Sequence, residues 1–233
     1  MKNLIIASTS TIHASGYLEY ILPELQSFFK DVKTILFIPF ARPSGISHEA
    51  YTKKACEAFK TINISVEGLH SKKNKAQAIL DAEAIFTGGG NTFVLLNALY
   101  KNECIAPLQN AISNGTPYLG TSAGSNICGV NIKTTNDMPI IYPSSFDALQ
   151  LVNFNINPHF LDPDTQTKHM GETRETRIKE FHTQNTTPVV GLREGSWLSV
   201  KNDIITLKGK LSARLFEKDK EAYEINSGTE IAF

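Results

Sequence analysis

A serine flanked by two glycines is the first feature of the sequence that could carry chemistry. Residues 120–126 read GTSAGSN after an apolar run, which gives Ser122 the G-x-S-x-G spacing of a nucleophile held on a sharp turn between a strand and a helix. Small neighbours let the strand and the helix approach closely, so the hydroxyl projects above the sheet and the amide of Ala123 points toward a developing oxyanion. Glycine-bounded serines also occur in ordinary strand-to-helix loops, and the pattern alone leaves both interpretations open.

A second glycine-rich loop could supply the other half of an oxyanion hole. The segment TGGGNTF, residues 87–93, lies between a predicted strand and a predicted helix, where exposed backbone amides and the helix dipole favour negative charge. Its spacing matches neither the G-x-G-x-x-G dinucleotide fingerprint nor the P-loop. A tight turn, a phosphate site and an oxyanion donor beside Ser122 are the alternatives.

A serine nucleophile requires a base, and His159 is the histidine whose position fits that role. It follows Asn157 and Pro158 directly, at the end of an apolar run. A capping or core histidine is the alternative at this position. The remaining histidines lie in predicted loops, at helix starts or on a polar helix, where a solvated side chain is expected: His13, His48, His70, His169 and His182.

Two carboxylates compete to orient the imidazole. Glu194 ends an apolar run in VVGLREGSW, whereas Asp137, in TNDMP, lies in a loop between nucleophile and base. A buried or fixed acid holds the imidazole in the tautomer that can accept the serine proton. Glu194 is favoured because Ser122, His159 and Glu194 all lie at predicted strand ends.

Two arginines could bind an acidic substrate. Arg174 and Arg177, in GETRETR, are three residues apart on a predicted helix and therefore share a face. A guanidinium group can bind a carboxylate through two parallel hydrogen bonds. A solvated face of salt bridges is the ordinary alternative.

Five strand-length apolar runs alternate with helical segments in the first half of the sequence. The runs cover residues 3–9, 34–40, 62–69, 84–90 and 116–122. Ser47 is predicted to cap the helix after the second run, and the helical segment after the fourth is predicted to be interrupted near Pro107. Alternating strands and helices form a parallel sheet covered on both faces, which binds ligands at the carboxyl ends of its strands. Both glycine-rich loops lie at that edge.

The second half of the sequence is less regular. An apolar run over residues 151–160 is followed by a polar helix over 168–184 and then by short strands separated by turns, which predict hairpins at one edge of the sheet. We predict one α/β domain over residues 1–233. Its expected architecture is a three-layer, doubly wound, mostly parallel sheet of the flavodoxin-like or class I glutamine-amidotransferase-like type, with C-terminal edge hairpins.

Composition and charge disfavour several classes of function. Lysine plus arginine and aspartate plus glutamate both number 23, so the formal charge is zero and no nucleic-acid or anionic-membrane partner is indicated. Three scattered cysteines outside any CxxC spacing argue against a disulfide framework or a zinc knuckle. The N-terminal apolar run is too short for a signal peptide, and no window approaches the roughly 20 apolar residues that span a bilayer. We therefore expect a cytoplasmic location.

Together these segments resemble the peptidase E family, the aspartyl dipeptidases among the serine peptidases, whose wider relatives include the cyanophycinases. The resemblance rests on TGGGNTF, YLGTSAGSN, NINPHF, HMGETRETRI and GLREGSWL, in that order and at family-like spacing, from about residue 80 to residue 200. It implies a Ser-His-Glu triad of Ser122, His159 and Glu194.

The resemblance also implies the remaining parts of the site. Gly89 and Ala123 would supply oxyanion amides, and Arg174 would recognise the side chain of an N-terminal aspartate, although Arg177 is close enough to share or take that role. The expected activity is hydrolysis of Asp-X dipeptides through an acyl-enzyme. No metal or cofactor is expected, and the partner is a small peptide bound by a monomer or small homo-oligomer. The alternatives are a cyanophycinase-like β-aspartyl peptidase and a catalytically silent protein that binds acidic peptides.

Overall fold

A seven-stranded sheet forms the centre of the computed structural model, which describes residues 1–163 and 171–233. Five parallel strands follow the five apolar runs: β1 (Asn3–Ala7), β2 (Thr34–Ile38), β3 (Ser65–Gly68), β4 (Ala84–Thr87) and β5 (Tyr118–Thr121). A hairpin of β8 (Ser196–Lys201) and β9 (Ile204–Gly209) pairs antiparallel beside β1, which gives the order β3-β2-β4-β5-β1-β8-β9. The carboxyl ends of β4, β5 and β1 are therefore neighbours at one edge.

A second sheet of four strands lies beside the large one. It contains β6 (Asn155–Pro158), β7 (Val189–Leu192), β10 (Ala213–Phe216) and β11 (Tyr223–Ile225), in the order β11-β10-β7-β6. β6 and β7 are parallel, and the other neighbours are antiparallel. The β8–β9 hairpin lies at the edge of the large sheet, as predicted. The β10–β11 pair belongs to the second sheet instead, so the prediction that all these hairpins lie at one edge is wrong. Short alternating strands predict pairing between chain neighbours but carry no information on which sheet the pair joins.

Seven α-helices connect the strands in the part of the chain that the structure describes: α1 (Leu22–Phe28), α2 (His48–Lys60), α3 (Lys75–Leu80), α4 (Thr92–Lys101), α5 (Ile105–Ser113), α6 (Ala123–Asn126) and α7 (Arg174–Gln184). Short 3-10 turns cover Glu19–Ile21 and Leu69–Ser71. The predicted serine cap is confirmed, because the Ala50 amide donates to Ser47 Oγ at 3.1 Å. Asn91 caps α4 in the same way, accepting from the amide of Val94 at 3.1 Å.

The interruption between α4 and α5 lies before Pro107, not at it. Residues 102–104 form the turn, where Glu103 has a φ of 53°. Pro107 occupies the first turn of α5, where a missing N–H group removes no helical hydrogen bond. The proline therefore marks the start of the second helix.

The polar helix α7 begins at Arg174, since the side chain of Thr173 caps it by accepting the amide of Thr176 at 3.1 Å. The predicted start at Lys168 and the solvated position expected for His169 lie outside the described residues. The expectation of a solvated His182 is wrong: this side chain is buried, and its Nε2 lies 3.0 Å from the carbonyl oxygen of Thr187. The last turn of α7 packs on the second sheet, which a polar sequence pattern does not reveal.

The surface positions expected for the first three histidines hold only in part. His13 is exposed and His48 is half-buried. The side chain of His70 is only 14% exposed, because it folds back beside Gly68 at the start of the short 3-10 turn. A histidine in a predicted loop can therefore pack against the domain, which the loop pattern alone does not indicate.

Two apolar clusters cover the faces of the large sheet. The smaller one lies beneath α1 and α2, and the larger one extends from α4 and α5 to the second sheet. β1, β2, β4 and β5 are buried along nearly their whole length, as expected for parallel strands with helices on both faces. No helix in residues 1–163 or 171–233 is both long enough and apolar enough to cross a membrane.

Candidate active site

Ser122 lies between β5 and α6 in a backbone conformation that residues with side chains rarely adopt. Its φ is 53° and its ψ is −110°, a strain that costs about 1–3 kcal/mol and persists only where the surroundings enforce it. The Ser122 amide donates to the carbonyl of Ala7 at 3.2 Å, and its carbonyl accepts from the amides of Ser125 and Asn126, both at 2.9 Å. These bonds fix the direction in which the hydroxyl points.

The two flanking glycines allow this turn to form. A Cβ atom at Gly120 would overlap the carbonyl oxygen of Gly124, and one at Gly124 would overlap the carbonyl oxygen of Thr87. The first glycine therefore lets α6 pack down onto β5, and the second lets it pack against β4. The G-x-S-x-G spacing has a steric cause at both ends.

Ser122, His159 and Glu194 form a continuous chain of hydrogen-bond contacts. His159 Nε2 lies 2.9 Å from Ser122 Oγ, and His159 Nδ1 lies 2.6 Å from Glu194 Oε1. A carboxylate only accepts hydrogen bonds, so the proton belongs on Nδ1 and the lone pair of Nε2 faces the serine hydroxyl. The side chains of His159 and Glu194 are 35% and 46% exposed, which leaves the pair open to a ligand.

His159 and Glu194 reach Ser122 from the second sheet. β6 ends one residue before His159, and β7 ends two residues before Glu194. Because β6 and β7 are parallel neighbours, their carboxyl ends lie side by side. His159 itself has a φ of 54°, which turns its ring away from the strand direction.

Ser8 is a residue of the site that sequence analysis missed. Its buried Oγ accepts the backbone amide of His159 at 2.9 Å and donates to the carbonyl of Leu192 at 2.7 Å. The hydroxyl therefore joins the end of β1 to the ends of β6 and β7. The sequence signal for Ser8 was its position directly after an apolar strand. The sequence does not indicate which segments its hydroxyl binds.

Asp137, the other carboxylate considered as the partner of the imidazole, binds elsewhere in the site. Its Oδ2 accepts the amide of Thr92, in the first turn of α4, at 2.7 Å and lies 3.2 Å from the hydroxyl of Thr135. A carboxylate at a helix N-terminus satisfies an amide that has no partner within the helix. Glu194, and not Asp137, contacts His159.

The predicted oxyanion donors lie next to Ser122. A Cβ atom at Gly89 would lie 2.9 Å from Ser122 Cβ and 3.4 Å from its Oγ, so only glycine permits this approach without displacement. Ala123 is buried. Within the described parts of the chain, neither the Gly89 amide nor the Ala123 amide donates a hydrogen bond. Buried amides are nearly always paired, and both are available here to a negatively charged oxygen.

The two predicted arginines have different surroundings. Arg174 is half-buried, and its Nε is buried without a hydrogen-bond partner among the described residues. Burial, and then the charge of Arg177, lower the pKa of Arg174, while the carboxylates of Asp137 and Glu194 oppose that effect. Arg177 is exposed, with its Nε 3.7 Å from Glu172 Oε2. Arg174 is therefore the arginine directed toward the site.

An ion-pair network fixes the turn that carries Glu194. The neighbouring Arg193 is 13% exposed, and its guanidinium group bonds Asp162 at 2.9 and 2.6 Å and Glu224 at 2.8 and 2.9 Å. The hydrogen bonds from Arg193 hold the pKa of Glu224 at about 2. Asp162 lies three residues after His159, so the network ties the segments that carry His159 and Glu194 to the same cation.

Comparison with known proteins gives a consistent result. The model of "Peptidase family S51" matches residues 4–208. The chain is 44% identical over 235 residues to a "Probable alpha-aspartyl dipeptidase" of Drosophila melanogaster, covering 100% of this chain and 97% of that protein. It is 43% identical to a "Peptidase E" of Streptomyces coelicolor, covering 99% and 93%.

Two solved structures share the fold at low sequence identity. A putative peptidase E from Listeria monocytogenes superimposes with a TM-score of 0.68 at 21% identity, covering 90% of this chain and 98% of that one. A peptidase from an acI-B1 Actinobacterium gives a TM-score of 0.74 at 17% identity, covering 100% and 97%. At these identities the likeness bears on the fold alone.

We expect Gly124→Ala to destabilise the protein by about 3 kcal/mol, because the new Cβ meets backbone that cannot rotate away. Urea unfolding followed by circular dichroism measures the loss. Gly16→Ala is the matched control, since its Cβ would meet only the Glu19 side chain, at 3.1 Å, and its effect should stay within about 0.5 kcal/mol. Equal midpoints for the two variants would contradict the steric account of the turn.

Proposed function

The chain belongs to peptidase family S51, and we propose that it is a serine exopeptidase that hydrolyses dipeptides with an N-terminal aspartate through an acyl-enzyme on Ser122. The observation that carries this proposal is the chain of contacts from Ser122 Oγ to His159 Nε2 at 2.9 Å and from Nδ1 to Glu194 at 2.6 Å. A hydroxyl, an imidazole and a carboxylate in this arrangement are suited to acyl transfer.

Acylation begins with transfer of the hydroxyl proton. His159 Nε2 accepts the proton of Ser122 while Oγ attacks the scissile carbonyl carbon, and Glu194 stabilises the imidazolium that forms. The carbonyl oxygen becomes an oxyanion. The amides of Gly89 and Ala123 are the donors that we assign to it, since both are free in the described structure and both adjoin Ser122.

Collapse of the tetrahedral intermediate releases the amine of the second residue. His159 gives the proton back to the leaving nitrogen as the carbon–nitrogen bond breaks, which leaves the aspartyl group as an ester on Ser122. A water molecule then attacks the ester carbonyl, with Nε2 accepting its proton. Return of that proton to Oγ frees the aspartate and restores the serine.

Arg174 is the residue that we assign to the aspartate side chain. Its Nε has no hydrogen-bond partner among the described residues and can donate to a carboxylate, and a guanidinium group binds a carboxylate in a two-pronged manner. The name of the Drosophila relative, a probable alpha-aspartyl dipeptidase, supports the same specificity. The exposed side chain of Arg177, which is paired with Glu172, makes it the weaker candidate.

Several finer points are part of the proposal. A cytoplasmic location, a monomeric or small homo-oligomeric state, the absence of nucleic-acid or membrane partners and a reaction without metal or cofactor stay predictions. In the described ranges, no group of three or more His, Cys, Asp or Glu side chains is arranged to hold a metal ion. Hydrolysis that stops after addition of a chelator and returns with a divalent metal would contradict a metal-free reaction.

We expect Glu194→Gln to lower kcat for Asp-Leu by roughly 1,000- to 10,000-fold, because the amide neither holds the required tautomer nor stabilises the imidazolium. Asp137→Asn is the matched control. It weakens the bond to the first turn of α4 and should cost about 1 kcal/mol of stability with kcat nearly unchanged. A larger loss of kcat in Asp137→Asn than in Glu194→Gln would overturn the assignment of the third residue.

We expect Asp-Leu to be cleaved and Leu-Leu not, and Arg174→Met to remove most of this preference. Losing a charge-assisted hydrogen bond costs about 1.5–3 kcal/mol, which corresponds to a fall of roughly 10- to 100-fold in kcat/KM for Asp-Leu. Arg177→Met, on the same helix, is the control and should behave nearly as the wild type. Equal cleavage of Asp-Leu and Leu-Leu by the wild type would contradict the proposed specificity.

A fluorophosphonate probe separates the enzyme from a silent binding protein. Ser122 should be labelled in the wild type and not in Ser122→Ala, because the probe reacts only with an activated serine. Mass spectrometry of the labelled peptide identifies the residue. Failure to label the folded wild type would favour the silent acidic-peptide-binding alternative, and faster turnover of β-Asp-Arg than of Asp-Leu would favour the cyanophycinase-like one.

A further inference from the structure

A third arginine, which the mechanism does not use, lies close to the glycine loop beside Ser122. Arg42 follows Ala41 in the loop after β2, and the carbonyl of Ala41 accepts the amide of Asn91 at 2.7 Å. A Cβ atom at Gly90 would overlap that same carbonyl. The loop that carries Arg42 is therefore packed directly against the loop that carries Gly89.

The guanidinium group of Arg42 is fixed by stacking. Its Cζ lies 4.8 Å from the centre of the Tyr51 ring, and the Tyr51 hydroxyl donates to the carbonyl of Gly89 at 3.2 Å. Tyr51 is fully buried, so the ring is a rigid support for the cation. Consecutive contacts thus lead from Arg42 through Tyr51 and Gly89 to Ser122.

Two buried polar atoms at Arg42 have no hydrogen-bond partner in the described chain. They are the Nε of Arg42 and the nearby Tyr17 hydroxyl. No carboxylate in the described chain forms an ion pair with Arg42. A buried donor without a partner is costly to the folded state, and an anion bound from outside would satisfy it.

Arg42 and Arg174 belong to different segments near the nucleophile. Arg42 follows β2, which lies beyond β4 on one side of β5, whereas β1 lies on the other side. The charge of Arg174 interacts with the carboxylates of Asp137, which binds the first turn of α4, and of Glu194, which contacts His159. The segments around Ser122 therefore carry two guanidinium groups that lack a carboxylate partner in the described chain.

We propose that Arg42 forms a second subsite, which binds the free α-carboxylate of the leaving residue. This inference rests on the proposed peptidase function. An Asp-X dipeptide carries two carboxylates, one on the aspartate side chain and one at the C-terminus, and a dipeptide spans only roughly 7 Å when extended. Two cations near the nucleophile that lack a carboxylate partner in the described chain match in number the two anions of the substrate.

The subsite accounts for a preference for dipeptides over longer chains. In a tripeptide the carbonyl after the leaving residue belongs to a neutral amide, which cannot form a charge-assisted pair with a guanidinium group. The buried Nε of Arg42 would also be left without an anion. Substrate length is thus selected by the charge at Arg42, separately from the aspartate side chain.

The test compares Asp-Leu with its C-terminal amide. The wild type should cleave Asp-Leu with a kcat/KM roughly 10- to 100-fold above that for Asp-Leu amide, and Arg42→Met should lose most of this difference through a higher KM for Asp-Leu alone. Lys53→Met, which removes an exposed positive charge from α2, is the control and should keep the difference. Arg42→Lys keeps the charge but loses the two-pronged bond and should retain part of the difference.

Two outcomes would overturn the subsite. One is a fall in kcat/KM that is equal for Asp-Leu and Asp-Leu amide in Arg42→Met. The other is an equal kcat/KM for the two substrates in the wild type. Thermal unfolding of each variant shows whether it is folded, and Arg42→Lys provides the comparison if Arg42→Met is not.

Failure of the Arg42 subsite can be distinguished from failure of the proposed peptidase function. Asp-Leu against Leu-Leu tests the aspartate specificity, and the acid-to-amide comparison is made with whichever first residue is cleaved best. If no peptide is cleaved, titration calorimetry of the dipeptide and its amide on Ser122→Ala makes the same comparison. Equal affinities there would likewise overturn the subsite.

Discussion

The hydroxyl of Ser8 joins the strand ends that hold the proposed catalytic residues. Ser122 belongs to the large sheet, whereas His159 and Glu194 belong to the second sheet, so the contact between Ser122 and His159 crosses from one sheet to the other. The Ser8 hydroxyl accepts a hydrogen bond from the amide of His159 at 2.9 Å and donates one to the carbonyl of Leu192 at 2.7 Å. A hydrogen bond weakens steeply when its atoms move apart, and burial protects this link from competition by water.

Two residues with positive φ face each other where the two sheets meet. Ser122 and His159 have φ values of 53° and 54°, in the left-handed region that costs a residue with a side chain about 1–3 kcal/mol. Close packing enforces both conformations: the glycines around Ser122 let α6 press onto β4 and β5, and Ser8 holds the amide of His159. Packing energy from the apolar clusters thus maintains a geometry that local preference disfavours.

The parallel α/β class and the resemblance to the peptidase E family are confirmed. Both were predictable because apolar runs and the order of motifs can be read from the sequence without knowing which segments pair in the fold. Local signals also predicted that Ser122, His159 and Glu194 lie at strand ends, and the structure brings them into contact. The expectation that all three lie at the edge of one sheet is wrong, because His159 and Glu194 follow strands of the second sheet. Pairing across distant parts of the chain was not predictable. The second sheet and the link through Ser8 depend on such pairing, as does the position of Arg42.

The hydrogen bonds of the site are long-range in sequence. Ser122 and His159 are 37 residues apart, His159 and Glu194 are 35 apart, and Ser8 reaches His159 across 151 residues. Contacts of this kind form late, because the chain entropy of closing large loops must be overcome first. A chain in which only the first five strands are paired would hold Ser122 without His159 and Glu194, which follow strands of the second sheet. The proposed triad is therefore complete only after the second sheet has docked, which links the assembly of the site to the last stage of folding.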